Sequence, residues 1–234
     1  ALFPRLSFDL IYARPGQSED SWRAELRRAL ALAADHLSLY QLTIEPGTQF
    51  ATLHARGAFA LPEGEEAARL YLATAEEAAR FGLLPYEVSN YAKPGAESRH
   101  NLQYWRYGDY LGIGPGAHQR VTRDGALLAA RRHRAPEEWA ARVERDGHAI
   151  VEETPLTPIE RAREALLMGL RLAEGVAPAR IEARSGLPFA EAVDAGMLAA
   201  LAEEGYLEWN DAGRLVATPE GRLRLDALLP ALLR

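Results

Sequence analysis

His100 and His118 flank a cluster of rings, Tyr104, Trp105, Tyr107 and Tyr110. An imidazole among aromatic side chains has the chemistry of an axial ligand for haem iron, with the rings packed against the macrocycle. A single such imidazole can equally be a hydrogen-bonded structural group. Gly112-Ile113-Gly114-Pro115-Gly116 sets glycines close enough for backbone to approach a ligand or to make a tight turn. It is no dinucleotide fingerprint, because Pro115 interrupts it and no helix clearly follows. Asp9 lies inside the apolar run Leu6–Tyr12, where a carboxylate is expected either to be bonded to neighbouring N–H groups or to face a ligand from a strand end. Residues 120–145 carry 7 Arg against 4 acids, an excess that suits porphyrin propionates or a solvated face.

The elements around these residues read as α/β. Leu6–Tyr12 is a strand of the buried, parallel kind, broken by Arg14-Pro15-Gly16. Ser18 is the expected N-cap of a helix to about Ala33, with Trp22, Leu26, Ala29, Leu30 and Ala33 on one face. His36–Leu42 is a second strand, completing a βαβ unit. An Ala-rich helix from Gly64 to Phe81 then leads to a third strand at Leu84–Val88. So short a run of β/α units leaves an open edge where a preceding strand is expected, and the chain reads as the later part of something larger.

Between Ser89 and Gln119 no helical or strand period is visible. Beyond it, a hairpin turns at Arg123-Asp124-Gly125, a short helix spans Pro136–Val143, and Thr154–Pro158 reads as a linker. Helices at Ile159–Leu172, Pro178–Arg184 and Phe189–Glu204 precede a hairpin (Tyr206–Trp209 and Arg214–Ala217) and a helix from Pro219. Three helices and a wing resemble a winged-helix domain. The expected division is 1–118, the barrel-like part; 119–155, hairpin and connecting helix; and 156–234, the winged-helix-like domain.

Composition narrows the function classes. The 234 residues are 48% hydrophobic and 26% charged with net charge -6, which describes a soluble, helix-rich globular chain and excludes a disordered one. No apolar run approaches the ~20 residues of a membrane helix. With no Cys, disulfides, Cys-ligated zinc and thiolate-held iron–sulfur clusters are excluded within this chain. Residues 156–234 hold 9 Arg and 12 acids, and the would-be recognition helix carries Glu191, Asp194, Glu203 and Glu204 without a basic residue. Such a helix would be repelled by phosphates, so no nucleic-acid partner is expected. The default compartment is the cytoplasm.

Five stretches together carry a resemblance: Phe8–Gln17 (FDLIYARPGQ), His36–Thr48 (HLSLYQLTIEPGT), Tyr86–Gly95 (YEVSNYAKPG), His100–Trp105 (HNLQYW) and Tyr110–Gln119 (YLGIGPGAHQ). In this order, with Leu166–Gly175 (LLMGLRLAEG) behind them, the chain resembles the HemW-type haem chaperones, radical-SAM proteins related to oxygen-independent coproporphyrinogen III oxidase. The resemblance implies the rear part of a partial TIM-like (β/α) radical-SAM barrel and a small C-terminal domain. It implies an S-adenosylmethionine contact at Asp9, positions near a second S-adenosylmethionine of the oxidase relatives at Thr43 and His118, and haem contacts at His100, Asn101, Tyr104 and Trp105. The oxidases lack the HNxxYW pattern, which favours a chaperone that takes up haem and delivers it to membrane haemoproteins. The alternatives are radical-SAM decarboxylation of coproporphyrinogen III and a cluster-free scaffold. The [4Fe–4S] cluster and S-adenosylmethionine are implied for the intact parent, yet the CxxxCxxC motif and the glycine-rich motif are absent here, so no metal site is expected in this chain. A dimer and a monomer both remain open. Arg14, standing where the family carries Gly, is expected to put a bulky cation in the cofactor cleft.

Overall fold

The computed structural model describes residues 6–33 and 35–233. The chain divides into two compact units, 1–98 and 99–234.

In the first unit, β1 (Asp9–Tyr12), α1 (Glu19–Leu30) and β2 (His36–Gln41) form the expected βαβ unit, with β1 and β2 parallel. Ser18 caps α1 by accepting the Ser21 N–H, and Glu19 and Asp20 lie in the first turn, where the helix dipole favours negative charge. After α2 (Gln49–Ala55) and α3 (Glu65–Arg80) come β3 (Leu84–Pro85) and β4 (Asn90–Ala92), and the sheet order is β1-β2-β4-β3. One face of the sheet packs on α1 and α3. Tyr12 stacks on Trp22 with centroids 5.3 Å apart, and Leu26, Leu30, Leu37, Leu39, Leu70 and Tyr91 complete that core. The Trp22 indole N–H donates to Thr74 Oγ1 at 2.8 Å, so this fully buried ring carries no orphaned donor.

Two expectations change here. Leu84–Val88 is not a third parallel strand: only Leu84 and Pro85 pair, and β4 returns antiparallel to both β2 and β3. The reason is local. The buried Glu87 carboxylate accepts the Ser89 N–H at 3.0 Å and the Asn90 side-chain amide, closing a turn that Tyr86 N and Asn90 O lock at 3.1 Å. Pro85, which lacks an N–H, fits the edge position it occupies. Nor is β1 a buried strand: it lies at the sheet edge and shows an exposed–intermediate–exposed–buried pattern, with Asp9 exposed. Arg14 is half-exposed at its side chain. Its guanidinium pairs with Glu25 of α1, while the left-handed position after β1 is Ala13, with φ 56°.

The second unit begins with α4 (Arg99–Trp105), within the stretch that showed no period. Seven residues with none buried leave too short a pattern to read. β5 (His118–Arg123) and β6 (Ala126–Arg132) form the expected hairpin, with Asp124 and Gly125 at φ 52° and 80° as a two-residue turn of the type I′ kind demands. α5 (Pro136–Asp146) follows. The expected linker is in part a third strand, β7 (Ile150–Pro155), paired antiparallel with β6.

α6 (Pro158–Gly169) starts in a capping box of Thr157 and Glu160, and α7 (Pro178–Ser185) packs against it. The expected helix 189–204 is broken into α8 (Phe189–Ala192) and α9 (Ala195–Glu203). Val193 is extended and bridges Leu233, and Asp194 restarts the helix by accepting the Met197 N–H at 2.8 Å. The hairpin β8 (Leu207–Trp209) and β9 (Leu215–Ala217) is as expected, followed by α10 (Pro219–Arg222) and α11 (Leu225–Leu232). Among the described residues no helix is long and apolar enough to cross a membrane.

Candidate ligand site

α4 sets His100 and Tyr104 four residues apart, hence on one helix face. Tyr104 Oη lies 3.1 Å from His100 Nε2, and the rings meet edge to face with centroids 4.7 Å apart at 78°. The Tyr104 ring in turn meets Tyr110 at 4.5 Å and 64°. Tyr110 is held by paired backbone bonds with Arg120, at 2.7 and 3.1 Å, which dock its loop onto β5. His100 is exposed, whereas Asn101, Tyr104 and Trp105 are partly buried. The four haem-candidate residues therefore share one short helix, and Tyr110 joins them through its ring. The Arg171 guanidinium lies over Trp105 at 5.7 Å.

Behind this helix sits a brace that sequence reasoning missed. Glu164 of α6 accepts from Arg120 Nη2 at 2.7 Å, from Arg120 Nε at 2.9 Å and from the Tyr107 hydroxyl at 2.6 Å. Burial alone would raise the Glu164 carboxyl, but the bonds from Arg120 and Tyr107 outweigh it and hold it below the ordinary glutamate range. Burial, reinforced by Glu164, pushes the Tyr107 phenol above its usual value. Asp109 adds a second tie, accepting the Thr122 N–H and Arg184 Nη2, each at 2.6 Å. No periodic signal marks these residues, because the partners stand 13 to 75 positions apart.

The glycine-rich loop is shaped by close approach. A Cβ on Gly112 would lie 2.3 Å from the His118 carbonyl oxygen, so only glycine fits there. Gly116 N bonds His133 O at 2.8 Å. This fixed loop holds Leu111 and Ile113 out to solvent, 68% and 86% exposed. The basic stretch is mostly spent on ion pairs: Arg120–Glu164, Arg123–Glu153, Arg131–Glu152, Arg142–Glu138 and Arg145–Asp146.

Of the S-adenosylmethionine candidates, Asp9 and Thr43 lie in the first unit and His118 in the second. Asp9 opens β1 and aligns with Ser38, which aligns with Asn90, so the three share the sheet face turned away from the core. Ser38 and Asn90 are buried, and Asn90 Oδ1 has no hydrogen-bond partner among the described residues. A buried acceptor left open in a polar row fits a ligand rich in hydroxyl and amino groups. Thr43 lies beyond the far end of β2, whose last residue stands about 10 Å along the strand from Ser38. It contacts Glu45 at 3.4 Å. His118 belongs to the second unit and is exposed at the start of β5, lining an open groove of ≈ 230 Å³ with Arg120, Arg131, Glu152 and Thr154. A thiolate-held cluster does not fit this chain, which has no Cys, and no trio of metal-ligating side chains converges among the described residues.

The family model described as "HemN C-terminal domain" matches residues 156–224. Residues 156–224 are a HemN C-terminal domain. The chain is similar to the radical S-adenosyl methionine domain-containing protein 1, mitochondrial, of Bos taurus, 41% identical over 180 residues, covering 75% of this chain and 41% of that protein. It is similar to the heme chaperone HemW of Synechocystis, 37% identical over 176 residues, covering 75% of this chain and 42% of that protein. The chain thus spans less than half the length of these two relatives. Its fold matches the coproporphyrinogen III oxidase HemN of Escherichia coli, a radical SAM enzyme, with a TM-score of 0.73 at 23% identity over 96% of this chain and 54% of that one. The resemblance read from the ordered motifs holds, as does the α/β radical-SAM fold with its HemN C-terminal domain.

Proposed function

We propose that the protein is a haem-binding chaperone of the radical-SAM group, and that His100 supplies a nitrogen ligand to the iron of bound haem. The observation that carries this is the exposed His100 joined through Tyr104 to Tyr110, with Trp105 on the same helix. An exposed imidazole can meet iron, and the rings beside it offer apolar contact to a flat macrocycle. The relatives named heme chaperone HemW, at 32% to 37% identity, support the reading. Delivery of haem to membrane haemoproteins belongs to the same proposal.

Asp9, in line with Ser38 and Asn90, would hold S-adenosylmethionine by its polar groups. When bound, S-adenosylmethionine supplies the radical chemistry of this superfamily. The cluster has no ligands in this chain, and no step is derived through it.

Anaerobic titration with ferric haem, followed by absorbance, tests the proposal. Saturable binding by the protein and its loss in His100→Ala are expected. Equal binding by both removes His100 from the site, and no binding by either moves the weight to the second reading. That reading, oxidation of a porphyrinogen, is favoured by the fold match to HemN.

A further inference from the structure

The imidazole offered to haem is already engaged. Tyr104 Oη sits 3.1 Å from His100 Nε2, the ring nitrogen that reaches farthest from the helix backbone. Two tautomers satisfy this contact. In one, the Tyr104 hydroxyl donates to the Nε2 lone pair and the ring proton is on Nδ1. In the other, Nε2 carries the proton and donates to the Tyr104 oxygen. Iron needs an open lone pair on the nitrogen it binds. The first tautomer has that pair occupied, and the second has none on Nε2.

We propose that Tyr104 is an internal latch on the haem site, its hydroxyl competing with iron for His100 Nε2 and keeping the unloaded site closed to weak metal ligation. This rests on the reading of His100 as the iron ligand. The surroundings make the latch a defined element and not a chance contact. Tyr104 is fixed at its other edge by Tyr110, 4.5 Å away, and Tyr110 is clamped by its backbone pairing with Arg120. The Tyr104 ring is therefore held, and the exchange goes through the exposed His100 side chain, which turns its Nε2 from the hydroxyl to iron, one bond replacing another. Release has the same cost in reverse: a haem leaving His100 finds the Tyr104 hydroxyl in position to take back the nitrogen, which favours hand-over above retention.

The test removes only the hydroxyl. Tyr104→Phe keeps the ring and its contacts with His100 and Tyr110. Ferric haem is titrated into the protein, Tyr104→Phe and His100→Ala, and the haem off-rate is measured by transfer to excess apomyoglobin. The latch requires tighter binding by Tyr104→Phe, by roughly 2- to 10-fold, the weight of one exposed hydrogen bond, together with slower release. The imidazole ¹⁵N shifts of His100 in haem-free protein must also differ between the protein and Tyr104→Phe. Loss of binding in His100→Ala with unchanged or weaker binding in Tyr104→Phe overturns the latch and leaves His100 as ligand. Undiminished binding in His100→Ala overturns the reading on which the latch depends.

Discussion

Glu164 grips the guanidinium of Arg120 with both carboxylate oxygens, at 2.7 and 2.9 Å. The same Arg120 pairs through its backbone with Tyr110, whose ring stands against Tyr104 and so behind His100. The helix that carries Glu164, α6, thereby braces the rings beside His100. Glu164→Gln keeps the shape but loses the charge-assisted pair. It is expected to cost about 1–2 kcal/mol of stability and to weaken haem binding, since Tyr110 loses its brace. Thermal unfolding and haem titration check this, and unchanged affinity would detach the brace from the site.

The pH dependence of that pair has a definite sign. The folded carboxyl of Glu164 lies below its ordinary value, so its stabilisation is full above the unfolded glutamate pKa of about 4.3 and is lost as pH falls below it. The difference in Tm between the protein and Glu164→Gln is expected to be constant from pH 7 to 5 and to shrink on further acidification.

A second carboxylate gives a sharper case in the first unit. Glu77 is fully buried at its side chain and accepts from Arg27 at 2.6 Å, Arg23 at 3.0 Å and Arg80 at 3.3 Å, tying α3 to α1. The Arg27 bond, opposed by burial and helped by Arg23, holds its carboxyl down to about 2. Glu77→Gln is expected to cost about 2 kcal/mol at neutral pH, and progressively less from pH 4.5 towards 2. A penalty that stays level down to pH 3 would contradict this.

Gly112→Ala places a methyl group against the His118 carbonyl and forces the loop to move. A loss of about 1–3 kcal/mol is expected, with faster amide exchange at Tyr110 and Arg120. Unaltered exchange would show that the loop yields without strain.

Asp9→Ala is expected to leave Tm within about 0.5 kcal/mol equivalent, because the side chain is exposed on an edge strand, and to weaken S-adenosylmethionine binding measured by calorimetry. Unchanged affinity would remove Asp9 from that site.

Much of the fold was legible because it is local. Ser18 announces a helix start, Asp124-Gly125 announces a hairpin, and the apolar face of Trp22, Leu26 and Leu30 announces its burial. What escaped depends on partners distant in sequence or on single side chains. Glu87 turns a run that reads as one strand into a hairpin, and Val193 breaks a helix because it bridges Leu233. The ring cluster around His100 was visible as residue types, but the hydrogen bond that engages Nε2 and the Glu164–Arg120 brace exist only in the folded chain.

The most direct measurement is the electron paramagnetic resonance and absorbance spectrum of the ferric haem complex, compared between the protein and His100→Ala at equal haem loading. A nitrogen-ligated spectrum that disappears in the variant is the result expected if His100 holds the iron. Identical spectra from the two proteins would contradict it and place the iron ligand elsewhere.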